Sequence, residues 1–262
     1  MSCITLLSDF GLEDAATAAT KGILMQHNPQ LPIVDISHRV APHQVMQAAY
    51  LLLSAYKNFP EGSCHIVLVN VLYDKAPRMV YCEVDHHYFI APDNGLLPLA
   101  FSGLTDGYTC FQWSNASTFK DWLHEAGKLV AHLQTGTQDA AYTPCTIHKA
   151  TDSFAPHITP DGAECRIIYI DHYENVIVNI TRQQFEDAAR GRHFRIEYMR
   201  NEVITTLNNN YSDVKAGDKL CRFNSAGFLE IAINKGNAAS LFGLKVYQEQ
   251  HLIYNHVKIF FE

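Results

Sequence analysis

Positive charge is scarce in this sequence: Lys and Arg number 20 against 27 Asp and Glu, for a formal net charge of −7. A surface built to neutralise phosphates is excluded, and no nucleic-acid partner is expected. No apolar run approaches the roughly 20 residues that span a bilayer. The N-terminus, MSCITLLSDFG, meets an aspartate too early for the apolar stretch of a secretory leader. The expected setting is therefore the cytoplasm, without a membrane partner. The 7 cysteines (Cys3, Cys64, Cys82, Cys110, Cys145, Cys165, Cys221) show no CxxC spacing and read as reduced, mostly buried thiols. Also missing are GxxxxGK[ST], GxGxxG after the first strand, HExxH and GxSxG. The 14 histidines invite a metal, but His86 and His87 are neighbours on a strand pattern and would point to opposite faces. No metal site is expected.

What is present is a globular chain of 262 residues with 47% hydrophobic and 11% aromatic content, enough for two domains of ordinary size. CITLLS, the helical spacing through Ile23–Met25, LPIVDIS and HQVMQAAYLLLSAYKNF read as strand, helix, strand, helix. Such a start implies a mostly parallel sheet. HIVLVNV, MVYCEV and YFIAP add strands, with a turn signal at Asp93-Asn94-Gly95 that a two-residue Asn-Gly turn would explain. Periodicity fails between Gly136 and Gly162, where Pro144, Pro156 and Pro160 interrupt a polar stretch. Beyond it alternation returns in CRIIYIDHYENVIVNI, HFRIEYM, FLEIAI and HLIYNHVKIFF. The expected architecture is an α/β unit over 1–150, a linker over 151–163 and a β-barrel or sandwich over 164–262.

Asp9 stands where the first strand ends, the place where open α/β sheets bind ligands; an N-cap or turn role serves it equally well. Asp171, Tyr173 and Asn175 alternate, so all three could share one face of a strand, as site residues or as solvated ones.

Taken together, LSDFG at 7–11, VDISH at 34–38, NFPEG at 58–62, APDNGLL at 91–97, IDHYENVIVNI at 170–180 and NSAGFLEIAINKGNAASLFGL at 224–244 resemble the S-adenosylmethionine hydroxide adenosyltransferases. The fluorinating and chlorinating adenosyltransferases are members too. The resemblance spans nearly the whole chain. It implies an N-terminal α/β/α sandwich with a mostly parallel sheet, a C-terminal β-barrel, and a homotrimer whose ligand lies between the first domain of one subunit and the second of its neighbour. It implies S-adenosylmethionine as substrate or ligand and no further cofactor. By the same resemblance Asp9 would take the ribose hydroxyls through its two carboxylate oxygens and Asp171 the methionine amino group. Ser225 would take the carboxylate, and Tyr173 and Asn175 the adenine. Asn237 and Ala238 in GNAAS would bring backbone close to the base. The family reaction is substitution at the ribose 5′ carbon, with methionine leaving from a sulfonium.

The family members that use water carry an aspartate, an arginine and a histidine in segments resembling VVDPGVG and TFHGRD. Here the corresponding segments read LVNVLYDKAPR and TFKDWLHEAGKLVAHL, which puts Asn70 at the aspartate, Pro77 with Arg78 beside it at the arginine, and Lys120 at the histidine. Asp121 falls where halogenating relatives have a serine and would repel a halide. His43 stands where the family has an aromatic ring against the ligand. Two readings follow. In one, Lys120 acts as base or cation, Asn70 orients water and Arg78 replaces the missing arginine, giving slow hydrolysis to adenosine and methionine. In the other, Lys120 is a solvated charge at a helix start, Asp74 and Lys75 pair with each other, and the protein binds S-adenosylmethionine or adenosine without turnover.

Overall fold

The structure, a computed structural model, describes residues 2–73, 75, 78–101, 110–113, 118–136, 143–148, 154–199, 202–246 and 256–262. The chain divides into two compact units, Met1–Asp152 and Ser153–Glu262.

The first unit runs β1 (Ile4–Ser8), α1 (Ala16–His27), β2 (Ile33–Ser37), α2 (Val45–Ala55), β3 (Cys64–Leu68), β4 (Met79–Val84), β5 (His87–Pro92), α3 (Leu96–Ala100), β6 (Cys110–Trp113), α4 (Phe119–Thr135) and β7 (Thr143–Cys145). Its sheet has the order β2-β1-β3-β5-β4-β6-β7. The β1–β2, β1–β3 and β3–β5 pairs are parallel, and β4, β6 and β7 join antiparallel. β1 and β3 are buried along their whole length, which is why they read as continuous apolar runs rather than alternating ones. Ile4, Leu6, Ile66 and Leu68 pack on one face against Leu24 of α1 and Trp122, Leu123, Ala126, Leu129 and Val130 of α4. A capping box between Thr118 and Asp121 starts α4, and Gly136 in the left-handed region at φ 70° ends it.

The turn signal at Asp93-Asn94-Gly95 is not a hairpin turn. The β4–β5 hairpin closes instead at Asp85-His86, both left-handed at φ 51° and 60°, as a two-residue turn with the twist of its strands requires. Only Gly95 has positive φ in the Asn94-Gly95 pair, at 87°, and it leads into α3.

The second unit runs β8 (His157–Thr159), β9 (Gly162–Ile170), β10 (Val176–Thr181), α5 (Arg182–Ala189), β11 (Phe194–Met199), β12 (Glu202–Ile204), β13 (Lys219–Phe223), β14 (Phe228–Ile233), α6 (Ala238–Phe242) and β15 (His256–Phe261). Its sheet has the order β12-β11-β15-β9-β10-β14-β13, with β8 on β9, and every pair is antiparallel. A bridge from Leu207 to Cys221 carries the chain after β12 onto β13, so the sheet nearly closes into a barrel. Inward residues such as Ile167, Val178, Ile231 and Ile259 fill it. Phe185 of α5 meets Phe194, Phe223 and Phe261 with centroids at 5.2, 5.6 and 5.5 Å. At Gly162 a Cβ would clash with the Ile259 carbonyl oxygen, so only glycine lets β9 and β15 approach there.

Candidate functional site

In the first unit the ends of β1 and β3 gather three of the sequence-predicted residues. Asp9 follows β1, and its Oδ2 accepts hydrogen bonds from the backbone N–H groups of His43 (2.9 Å) and Asn70 (3.1 Å). Both donors sit in the left-handed region, at φ 65° and 49°, a conformation that His and Asn tolerate better than most side chains. Two turned loops thus aim their amides at one carboxylate oxygen. Asp9 Oδ1 has no hydrogen-bond partner among the described residues. The His43 ring joins the cluster: its Nδ1 lies 3.1 Å from Asn70 Oδ1.

Asn94, read from sequence as a turn residue, helps to hold this arrangement. Its Nδ2 donates to the carbonyls of Val69 (3.0 Å) and Asn70 (3.3 Å), fixing the loop after β3. Ser8 and His38 brace the other side. Ser8 Oγ is 2.7 Å from His38 Nδ1, and Gly11 N donates to the His38 carbonyl at 2.8 Å. Asp35 lies 3.1 Å from His38 Nε2. Ser8 is 1% exposed, so this Ser–His–Asp chain supports the loop and presents no nucleophile to solvent.

Phe10 meets Phe119 edge-on with centroids 5.6 Å apart, which brings the first turn of α4 beside the Asp9 loop. Lys120 is in that turn, exposed, and makes no hydrogen bond or ion pair among the described residues. Asp121 does not pair with it: its Oδ2 accepts from Thr118 N (3.0 Å) and Thr118 Oγ1 (2.8 Å).

Arg78, just before β4, is paired with Asp93. Its Nε donates to Asp93 Oδ2 at 2.6 Å and its terminal nitrogen to the Thr146 carbonyl at 2.8 Å. The Asp93 side chain is 1% exposed and also accepts from His148 N at 2.8 Å. A buried carboxylate needs its cation, and that demand holds the guanidinium. Of the alternative ion pair, Asp74 lies outside the described residues.

In the second unit Asp171, Tyr173 and Asn175 do not alternate along a strand. β9 ends at Ile170, and Asp171 Oδ1 accepts from Tyr173 N (2.9 Å) and Asn175 N (2.8 Å), folding 171–175 into a turn. The aspartate satisfies the backbone locally, and that competes with the ladder. Asp171 Oδ2 accepts from Asn175 Nδ2 at 3.0 Å, while Tyr173 is 73% exposed. Behind Asn175 runs a chain that sequence reasoning missed. Asn175 Nδ2 is 3.4 Å from Tyr211 Oη, which donates to Glu230 Oε1 at 2.6 Å under the Arg222 guanidinium. Burial pushes the Glu230 carboxyl above its usual range, while the Tyr211 hydrogen bond and Arg222 oppose the shift. Only the isolated acidic residue in the apolar run FLEIAI could have signalled it.

Glu174, left-handed at φ 61°, ties this turn to the GNAAS segment. Its carboxylate accepts from Asn237 Nδ2 (3.2 Å) and Ser240 N (2.9 Å), and its carbonyl accepts from Ala239 N (3.0 Å). Asn237 is thus occupied by Glu174. The Ala238 methyl belongs to the barrel core, so that residue has only backbone to offer a ligand. Ser225 sits exposed in the β13–β14 turn, which Asn224 Oδ1 shapes by accepting from Ala226 N (3.0 Å) and Phe228 N (3.1 Å). Among the described residues no group of three or more His, Cys, Asp or Glu could hold a metal ion.

The SAM hydroxide adenosyltransferase N-terminal domain matches residues 4–137, and the C-terminal domain of the same family matches residues 165–250. This chain belongs to the SAM hydroxide adenosyltransferase family. Among its relatives in the family, a protein from Thermus thermophilus named (R)-S-adenosyl-L-methionine hydrolase is 27% identical over 259 residues, covering 94% of this chain and 97% of the relative. One of the same name from Methanocaldococcus jannaschii is 24% identical, covering 97% of each chain. A fluorinase from Actinopolyspora mzabensis is 23% identical, over 92% of this chain and 94% of its own. The fold agrees with the crystal structure of an uncharacterized conserved protein from Thermotoga maritima, with a TM-score of 0.81, 23% identity and coverage of 98% and 99%. No described helix of this family member is long and apolar enough to cross a membrane.

Proposed function

We propose that this member of the family is an S-adenosyl-L-methionine hydrolase that forms adenosine and L-methionine. The observation that carries the reading is the Asp9 carboxylate, held at the end of β1 by two backbone amides with Oδ1 available to ribose hydroxyls. Kinship supports it, since four relatives that match nearly the whole chain, at 24–27% identity, are named (R)-S-adenosyl-L-methionine hydrolase.

In the reaction, the oxygen of water bonds to the ribose 5′ carbon as the bond from that carbon to sulfur breaks. The bonding pair goes to sulfur, which leaves as neutral methionine, and one water proton is released. A sulfonium needs no general acid, so the protein must align water, exclude bulk solvent and receive the proton. Asp9 would orient the ribose, the Asp171–Asn175 turn with Tyr173 and Ser225 would hold the amino acid and base, and Asn70 would orient the water. Lys120, without a hydrogen bond or ion pair among the described residues, would add positive field near the leaving group's carboxylate. By family resemblance the working form is a cytoplasmic homotrimer with its ligand at the subunit interface, and no cofactor takes part. Halide transfer is disfavoured because Asp121 falls, by the resemblance, where halogenating relatives have a serine, and a carboxylate there would repel an anion.

A second reading is supported by the fate of Arg78: with its guanidinium on Asp93, the chain would bind S-adenosylmethionine or adenosine without turnover. Incubation of the pure protein with S-adenosylmethionine, with and without chloride, followed by chromatography, separates the two. Adenosine above the protein-free control, lost in Asp9→Ala, supports the hydrolase. Ligand-induced thermal stabilisation without product supports the binder, and a halogenated nucleoside overturns the reading of Asp121.

A further inference from the structure

We propose that His43 is the general base of this protein. The inference rests on the hydrolase reading and assigns a base where the family's water-activating set has been replaced. His43 Nδ1 lies 3.1 Å from Asn70 Oδ1. An amide oxygen can only accept, so the ring must donate from Nδ1, and a neutral imidazole that does so carries its basic lone pair on Nε2. Nε2 has no hydrogen-bond partner among the described residues, and His43 is exposed. The arrangement is that of an oriented base, in which a neighbouring acceptor fixes tautomer and ring direction.

Its position supports the same role. The His43 and Asn70 amides both donate to Asp9 Oδ2, so ring, amide and ribose-binding carboxylate form one connected cluster. Both residues hold left-handed backbone to do so, a conformation that clusters at functional sites. The other catalytic positions expected from sequence supply no such group: Arg78 is bound to Asp93, and Lys120 would act as a cation. In the proposed step the water oxygen attacks the 5′ carbon while one water proton passes to His43 Nε2. The imidazolium so formed returns its proton to solvent after methionine leaves.

The test compares His43→Phe, His43→Ala and Asn70→Gly with wild type, by adenosine formation and by thermal stabilisation with S-adenosylmethionine. His43→Phe keeps a ring to lie against the ligand but has no base. It is expected to retain ligand stabilisation and KM while kcat falls about 100-fold or more. Added imidazole is expected to restore part of the activity of His43→Ala. Asn70→Gly tolerates the left-handed backbone and removes both the acceptor of the His43 ring and the amide that would orient the water; its kcat is expected to fall about tenfold or more with KM little changed. A His43→Phe protein with wild-type kcat overturns the proposal, as does a His43→Ala protein with raised KM that imidazole does not rescue. In either case adenosine formation by wild type leaves the hydrolase reading standing. If wild type forms no adenosine, both fall together.

Discussion

Arg78 Nε donates to the buried Asp93 carboxylate at 2.6 Å, so the arginine nearest the family's catalytic position in sequence works here as the counter-ion of a core aspartate. Arg78→Met should therefore act first on stability. Stranding Asp93, with His148 as its remaining partner, is expected to cost about 3 kcal/mol, read as a fall in Tm of about 6–12 °C. Arg78→Met combined with Asp93→Asn should recover much of that loss, because the uncompensated charge is gone. A single variant with wild-type Tm would show that the pair is not a structural one.

Asp9→Ala removes both the acceptor of two backbone amides and the available Oδ1. Adenosine affinity is expected to fall about 10- to 100-fold, the scale of one hydrogen bond to a charged group. Titration with 2′,3′-dideoxyadenosine checks the cause: lacking both hydroxyls, it should bind wild type and variant alike. Equal loss for both nucleosides would mean that Asp9 acts through the His43 and Asn70 loops it holds and not through the ribose hydroxyls.

His65 is buried between Thr5 Oγ1 (2.7 Å) and His87 Nδ1 (3.1 Å), and burial pushes its pKa down to about 3. The folded protein keeps this ring neutral while the unfolded chain protonates it near 6.5. The unfolded state thus binds more protons between those values, and stability must fall as pH drops through that window, by up to about 1.4 kcal/mol per pH unit. His87, also shifted down by burial, adds in the same direction. Thermal unfolding from pH 7 to pH 4 should show this slope, and His65→Gln should flatten it; an unchanged slope would move the source elsewhere.

Glu230 carries the opposite sign. Burial raises its carboxyl pKa, so above the ordinary carboxyl range the unfolded chain loses a proton that the folded barrel retains. Stability contributed by this group therefore declines as pH rises through the window between the two values. Glu230→Gln keeps an acceptor for Tyr211 and removes the charge. Its Tm should exceed wild type at pH 7 and match it at pH 4, and a variant less stable at both would mean that the ionised form is the one Tyr211 and Arg222 select.

The sequence by itself determined the two-part architecture and the elements with strong periodicity. β1 and β3 are legible because both faces are buried and apolar residues dominate each run, although Thr5 and His65 are buried with them. The resemblance brought Asp9, His43 and Asn70 to attention one by one. Tertiary structure alone decided how such residues combine. That His43 and Asn70 turn left-handed toward one oxygen of Asp9 depends on loops 34 and 61 residues away in the chain, a closure that no local spacing encodes. Asp171, Tyr173 and Asn175 misled because period-2 spacing is shared by strands and by the turn that an aspartate folds around its own carboxylate. Nor could proximity in sequence show that Arg78 serves the buried Asp93, since a buried charge takes the partner that compensates it best.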